Sequence, residues 1–281
     1  MLQLTKHSKL ALPAAARCVR WLATLCVLCF ALFARPAHAT SESLIEDPSF
    51  HEGVEAYRAG DYPTAKQKFL NALEDRSTNR AACLRNLGNV AFRERRPLEA
   101  AGWFTAAVRE APRDRDAWFN LEYVRREAGL EPADRGDLAD TAVRLATMLR
   151  VDEAERVVLA LMGALALALA WEALRGGLAA KATAWSLAGL LGVALIPYVV
   201  QLSRAGGDPC FVIQPEGAAL NSEPRENAAL IGRLAPANVV ERIDRLPGWV
   251  RVRSSNDEVG WVREDAVLAL DAGAVARAGE R

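Results

Sequence analysis

Histidine and cysteine are scarce in this chain. Its 281 residues include 3 histidines and 5 cysteines. His7 and His38 lie in an N-terminal targeting stretch, which leaves His51 for everything that follows. Proton-transfer and metal chemistry therefore lack their commonest side chain. Beyond that stretch there is no Cys-x-x-Cys spacing. There is also no Gly-x-Ser-x-Gly, P-loop, His-Glu-x-x-His or Gly-x-Gly-x-x-Gly motif. Net charge is lacking as well: 35 Lys+Arg balance 35 Asp+Glu. A neutral chain has no overall attraction to nucleic acid, so no nucleic-acid partner is expected. The carboxylates are spread over helix faces, where they are solvated. The reading is a non-enzymatic protein with no cofactor and no metal.

Apolar residues are plentiful, at 51%, and they are concentrated in three blocks. The first follows Lys6, Lys9, Arg17 and Arg20 and runs from Trp21 to Ala34. Small residues Ala37 and Ala39 then flank His38. A basic start, a short apolar core and an A-x-A site predict a secretory signal peptide, residues 1–39, cleaved after Ala39. The core is too short to span a bilayer comfortably. Cys26 and Cys29 each follow leucine, where a lipoprotein site needs a small residue. Cys18, Cys26 and Cys29 leave with the signal. Export permits a disulfide between the remaining Cys83 and Cys210. The preferred reading is a small buried Cys83 and an unpaired Cys210, because a membrane segment separates their domains.

Residues 53–74 and 88–109 repeat each other with an offset of 35 (88 − 53): Gly53 aligns with Gly88, Ala65 with Ala100, Phe69 with Phe104 and Ala72 with Ala107. Small residues let paired helices approach closely, and phenylalanines fill the space between pairs. Gly60-Asp61 and Arg95-Arg96-Pro97 break the helices at matching places. A third unit starts at Asp116, with Trp118, Leu121 and Val124 at helical spacing. This resembles a tetratricopeptide domain of two full repeats and a partial third, assigned to residues 40–130. The resemblance implies a concave face that grips extended peptides. It also implies that Arg85, Asn89 and Asn120 occupy three positions of a groove for a chain-terminal carboxylate. Asparagine at these places is also common filler, and both readings stand.

The second apolar block runs from Val157 to Trp171 and the third from Ala182 to Ser203. They predict two transmembrane helices within 156–204. Gly163, Ala164, Ala168, Gly189 and Gly192 suit close helix contact in lipid. The link from Arg175 to Lys181 carries two positive charges and no negative ones. Short basic loops stay cytoplasmic, so repeats and C-terminus both face outward. Residues 131–155 are read as a cap or juxtamembrane stem, with an amphipathic helix at LADTAVRLATMLRV.

Residues 208–272 show short strands at regular intervals: AALNSEP, AALIGRL, NVVERID, GWVRVR and VGWVRED. Five strands in so short a span suggest a small barrel, followed by a tail at 273–281. Along WVRVR, Val250 and Val252 point one way and Trp249, Arg251 and Arg253 the other. The pattern is similar to the bacterial SH3 family, through Ala219-Leu220-Asn221-Ser222, Gly232-Arg233-Leu234, Gly248-Trp249-Val250 and Gly260-Trp261-Val262. Each of the last two glycines is read as letting its strand bend. Trp249 and Trp261 are read as mainly structural, Trp261 the more so. The open alternative is that both face a wall peptide or glycan.

The fold class is thus multi-domain: an all-α tetratricopeptide superhelix, a two-helix transmembrane hairpin and a C-terminal all-β SH3-like barrel. The order resembles the tetratricopeptide and SH3 membrane protein family of the Bat aerotolerance operons. The resemblance implies a scaffold in the bacterial inner membrane whose domains face the periplasm. Its implied partners are von Willebrand A-type membrane proteins and a MoxR-type ATPase, and its implied role is in oxidative stress or envelope homeostasis. A different reading is a cell-wall anchor whose barrel binds peptidoglycan.

Overall fold

The computed structural model describes residues 48–74, 79–133, 141, 146–149, 151–205 and 207–271. The expected signal peptide, most of the stem helix and the tail fall outside these residues. The chain divides into two units, one of residues 39–154 with 196–281, the other of 1–38 with 155–195.

Among the described residues, five helices begin the larger unit: α1 (Pro48–Arg58), α2 (Tyr62–Glu74), α3 (Arg80–Arg93), α4 (Pro97–Glu110) and α5 (Arg115–Glu127). Their boundaries follow local chemistry. Gly60, at φ +79°, ends the first hairpin arm. Asp61 then accepts a hydrogen bond from the Thr64 amide at 3.2 Å. Hydrogen bonds from Thr64 hold the Asp61 carboxyl below its ordinary range. Asn79 caps α3 by accepting from the Ala82 amide at 3.1 Å. Pro97 opens α4 in the first turn, where a missing N–H costs nothing. Asp114 caps α5 through the Asp116 and Ala117 amides at 2.9 and 3.1 Å.

The repeat in sequence is a repeat in packing. A Cβ on Gly53 would sit 2.8 Å from Phe69 Cε1, and one on Gly88 would sit 2.7 Å from Phe104 Cε1. Each glycine therefore seats the phenylalanine of its own hairpin, and any side chain there would displace a ring from the core. Ala65, Phe69, Leu84, Leu87, Ala100, Phe104 and Leu121 belong to one buried cluster.

Two long helices follow, α6 (Val151–Arg175) and α7 (Leu178–Ala205). Asp152–Arg175 and Leu178–Leu202 are each long and apolar enough to cross a membrane. Leu159, Met162, Leu190 and Val193 are exposed, whereas a soluble core helix would bury them. Three details differ from the sequence reading. The first helix starts at Val151, so it absorbs the end of the expected stem. The basic link tightens to Gly176 and Gly177, both at positive φ, and Lys181 lies within α7. A Cβ on Gly163, Gly189 or Gly192 would meet nothing within 4 Å, so these glycines make no close helix contact among the described residues. They lie on open faces of their helices.

The C-terminal part is an antiparallel sheet of β1 (Pro209–Val212), β2 (Ala218–Asn221), β3 (Leu230–Leu234), β4 (Val239–Leu246), β5 (Trp249–Arg253), β6 (Val259–Arg263) and β7 (Val267–Ala269), in the order β3-β2-β6-β5-β4-β1-β7. It rolls around Val212, Leu220, Leu234, Val240, Val250, Val252 and Val262. The sequence predicts five strands, whereas the sheet has two more: Pro209 opens β1, before which Asp208 is anchored, and β7 closes the order. Asp208 accepts from Arg242 Nε at 2.8 Å, and its carbonyl accepts from the Arg242 amide at 2.7 Å. Strand β1 escaped notice because both its faces are covered. Cys210 and Val212 enter the sheet's core, while Phe211 joins the core of the helices. A strand buried on both faces has no alternation to read. Cys83 and Cys210 are both buried, and no disulfide joins them.

Candidate functional site

Two surfaces carry the predicted site residues. The first is formed by α3 and α5. Arg85 and Asn89 are one turn apart on α3, so they share a face. Asn120 on α5 donates to Asn89 Oδ1 at 3.5 Å, and Asn89 donates to Asn86 Oδ1 at 3.4 Å. All three predicted groove residues therefore come together across neighbouring hairpins. Arg85 is not an idle cation, however. It pairs with Asp114 at 2.8 Å and lies 3.7 Å from an Asp116 oxygen. Asp114 thus caps α5 with one oxygen and holds Arg85 with the other. An incoming carboxylate must compete with an anion already in place.

Sequence reading overlooked the aromatic members of this face. Phe92 and Tyr123 meet edge to face, with ring centroids 5.7 Å apart. Tyr123 is 43% and Phe119 71% exposed, unusual for large apolar side chains in an array that covers its other aromatics wholly or in part. A signal was present. The buried positions of α3 recur on α5 after 34 residues (121 − 87, 124 − 90), and the same step carries Arg85 to Phe119 and Asn89 to Tyr123. On the neighbouring arm, Arg93 donates to the Tyr57 hydroxyl at 3.2 Å, which raises the guanidinium's pKa further.

The second surface is the outer face of β5 and β6. Their register sets Trp249 opposite Arg263 and Arg251 opposite Trp261. Val250 and Val252 on one strand, and Gly260 and Val262 on the other, are buried. Both tryptophans are therefore half-buried on the outer face, alternating with arginines, and neither belongs to a core cluster. Strand alternation gives the inward places to the neighbours of both tryptophans. Arg253 pairs with Glu241 at 3.2 Å, and Arg263 pairs with Glu226 at 2.9 Å and with Asp265 at 3.1 Å. The Arg263 contact holds the Asp265 carboxyl below its ordinary range. No ion pair to Arg251 occurs among the described residues.

The two Gly-Trp-Val triplets differ in what their glycines do. Gly248 follows Pro247 and has φ +76°, the geometry of a tight turn into β5. Gly260 is needed for space, since a Cβ there would lie 2.7 Å from Leu220 Cγ and 2.8 Å from the Asn221 carbonyl oxygen. Close approach of β2, rather than bending, fixes glycine at that place.

Residues 216–267 are similar to the bacterial SH3 domain. The matched stretch runs from the turn before β2 to the start of β7 and leaves β1 outside. No curated protein and no solved structure matches the chain. An SH3-like barrel of bacterial type points to binding of protein or of cell wall. Among the described residues no group of three or more His, Cys, Asp or Glu side chains is placed to hold a metal ion.

Proposed function

We propose that the chain is a non-enzymatic scaffold of the bacterial inner membrane that presents tetratricopeptide-type repeats and an SH3-like barrel to the periplasm. The observation that carries this reading is the α3–α5 face, where Arg85, Asn89 and Asn120 converge beside exposed Phe119 and Tyr123. Asparagine side chains offer both donor and acceptor to an extended backbone, and aromatic rings supply contact area at low entropic cost. The two apolar helices anchor this surface to the bilayer. By resemblance to the Bat family, its partners are von Willebrand A-type membrane proteins working with a MoxR-type ATPase, in aerotolerance or envelope homeostasis.

The test is co-purification of von Willebrand A-type proteins with the full chain from solubilised membranes. Combined Arg85→Ala, Asn89→Ala and Asn120→Ala should abolish recovery of those proteins and leave helicity unchanged. Undiminished recovery would remove these residues from the interaction.

A second reading has its own observation. The alternation of half-exposed tryptophan with arginine on β5 and β6 suits stacking on a sugar beside an anionic group. In this reading the barrel anchors the protein to peptidoglycan. Sedimentation of the solubilised chain with purified sacculi should then depend on Trp249, Trp261 and Arg251.

A further inference from the structure

The helices of the array do not end at their own surface. Phe211 and Leu270 of the barrel are members of the buried cluster of the repeats, with Ile213 and Leu268 packed against it. The contact centres on one residue of α4. A Cβ on Gly102 would lie 2.7 Å from Leu268 Cδ2 and 3.2 Å from Phe211 Cδ1. The barrel strands at this contact are joined to each other: β1 pairs with β7, and the Leu270 amide donates to the Pro209 carbonyl at 2.8 Å.

The repeat supplies an internal control. Residues 66, 67, 68 and 71 of α2 correspond to 101, 102, 103 and 106 of α4 at the offset of 35 (102 − 67). On α2 they are Lys66, Gln67, Lys68 and Asn71, with Gln67 and Asn71 exposed and hydrogen-bonded to each other at 2.9 Å. On α4 they are Ala101, Gly102, Trp103 and Ala106, all buried. The inward residues of the two helices match, whereas the outward ones differ in polarity and size.

We infer that the outward face of α4 is a dock for the chain's own barrel, with Gly102 as the notch that receives Leu268 and Phe211. Repeats and barrel are then one folded body, and the two apolar helices are an insertion within it. Both ends of that insertion open on the same side of the membrane, so both helices cross or neither does. The inference does not depend on what the α3–α5 face binds.

The test uses the full chain in detergent, with a protease site placed within 134–140 and an affinity tag at the C-terminus. After cleavage, the repeat fragment should stay with the tagged barrel fragment. Gly102→Leu should lower its retention by about tenfold or more, a loss of at least about 1.4 kcal/mol of contact energy. Leu268→Glu, at a residue that packs against the repeat cluster and lies outside the sheet's core, should do the same. Leu268→Ala added to Gly102→Leu should restore retention. Release of the wild-type fragment on cleavage would overturn the dock, as would wild-type retention in both single variants. Exchange of repeat fragments between differently tagged copies would overturn the intramolecular form of the contact.

Discussion

Helices α2 and α4 occupy equivalent places in their hairpins and diverge only on one side. Each turns a phenylalanine and two alanines toward its partner, because the partner's glycine leaves the same space in both. On the other side α2 presents exposed Gln67 and Asn71, with Lys66 reaching Glu99 of α4, while α4 meets the barrel. The comparison separates two demands on a repeat sequence. Packing within the hairpin fixes the residues that recur, and the neighbour outside the hairpin fixes those that do not.

The strongest way to break this comparison is to remove the shared residue from each helix. Phe69→Ala and Phe104→Ala each empty a site that is at most 1% exposed, and each should cost about 3–5 kcal/mol. Their reach should differ. Phe104→Ala loosens the helix on which the barrel rests, so amides of β1 and β7 should lose hydrogen-exchange protection. With Phe69→Ala those amides should exchange as in the parent. Equal effects of the two on the barrel would show that α4 is not its special support.

This division also explains how much of the molecule was legible in the sequence. The glycine–phenylalanine spacing, the apolar runs and strands β5 and β6 each answer to one environment and so show a period. Strand β1 answers to two environments at once, with Cys210 and Val212 facing one core and Phe211 the other, and so reads as a featureless apolar stretch. Strand β7 is half-buried at every residue. The substitution of Gly102 and Ala106 for Gln67 and Asn71 was visible, but it carries meaning only once a partner for α4 is known. In the groove, Arg85, Asn89 and Asn120 were legible through resemblance. The engagement of Arg85 by Asp114 was not, since the residue that caps α5 is brought to α3 only by the fold.

A smaller effect distinguishes the two sides of β1 by pH. Burial, with the nearby Asp208 carboxylate, pushes the Cys210 thiol up to about 11, against an opposing pull from Arg242. The folded value lies above the ordinary value of 9.0. The neutral thiol's contribution is therefore complete below pH 9 and is lost as pH climbs toward 11. The loss is about 2–3 kcal/mol. Urea unfolding followed by tryptophan fluorescence should show this alkaline decline in the parent, and Cys210→Ala should flatten it. Phe211 points away from that core, so Phe211→Leu should retain the decline. A decline of equal size in Cys210→Ala would assign it to other groups.

The smallest expected change separates the two faces of the β5–β6 hairpin. Val262 is fully buried, and Val262→Ala should lower stability by about 2 kcal/mol through lost contacts and an unfilled space. Trp261 is the larger side chain, yet it stands on the outer face opposite Arg251, beyond the sheet's core. Trp261→Ala opens no enclosed cavity. It removes the covered part of the ring without the added cost of a cavity. Thermal melts of the full chain should rank Val262→Ala well below Trp261→Ala, with Trp249→Ala close to the latter. If Trp261→Ala instead unfolded the barrel, the tryptophan would be a core residue after all, and loss of sacculus binding in that variant would say nothing about a ligand. If it melts near the parent, the hairpin keeps an aromatic–arginine face that its own stability does not require, and binding is the remaining reason for that face.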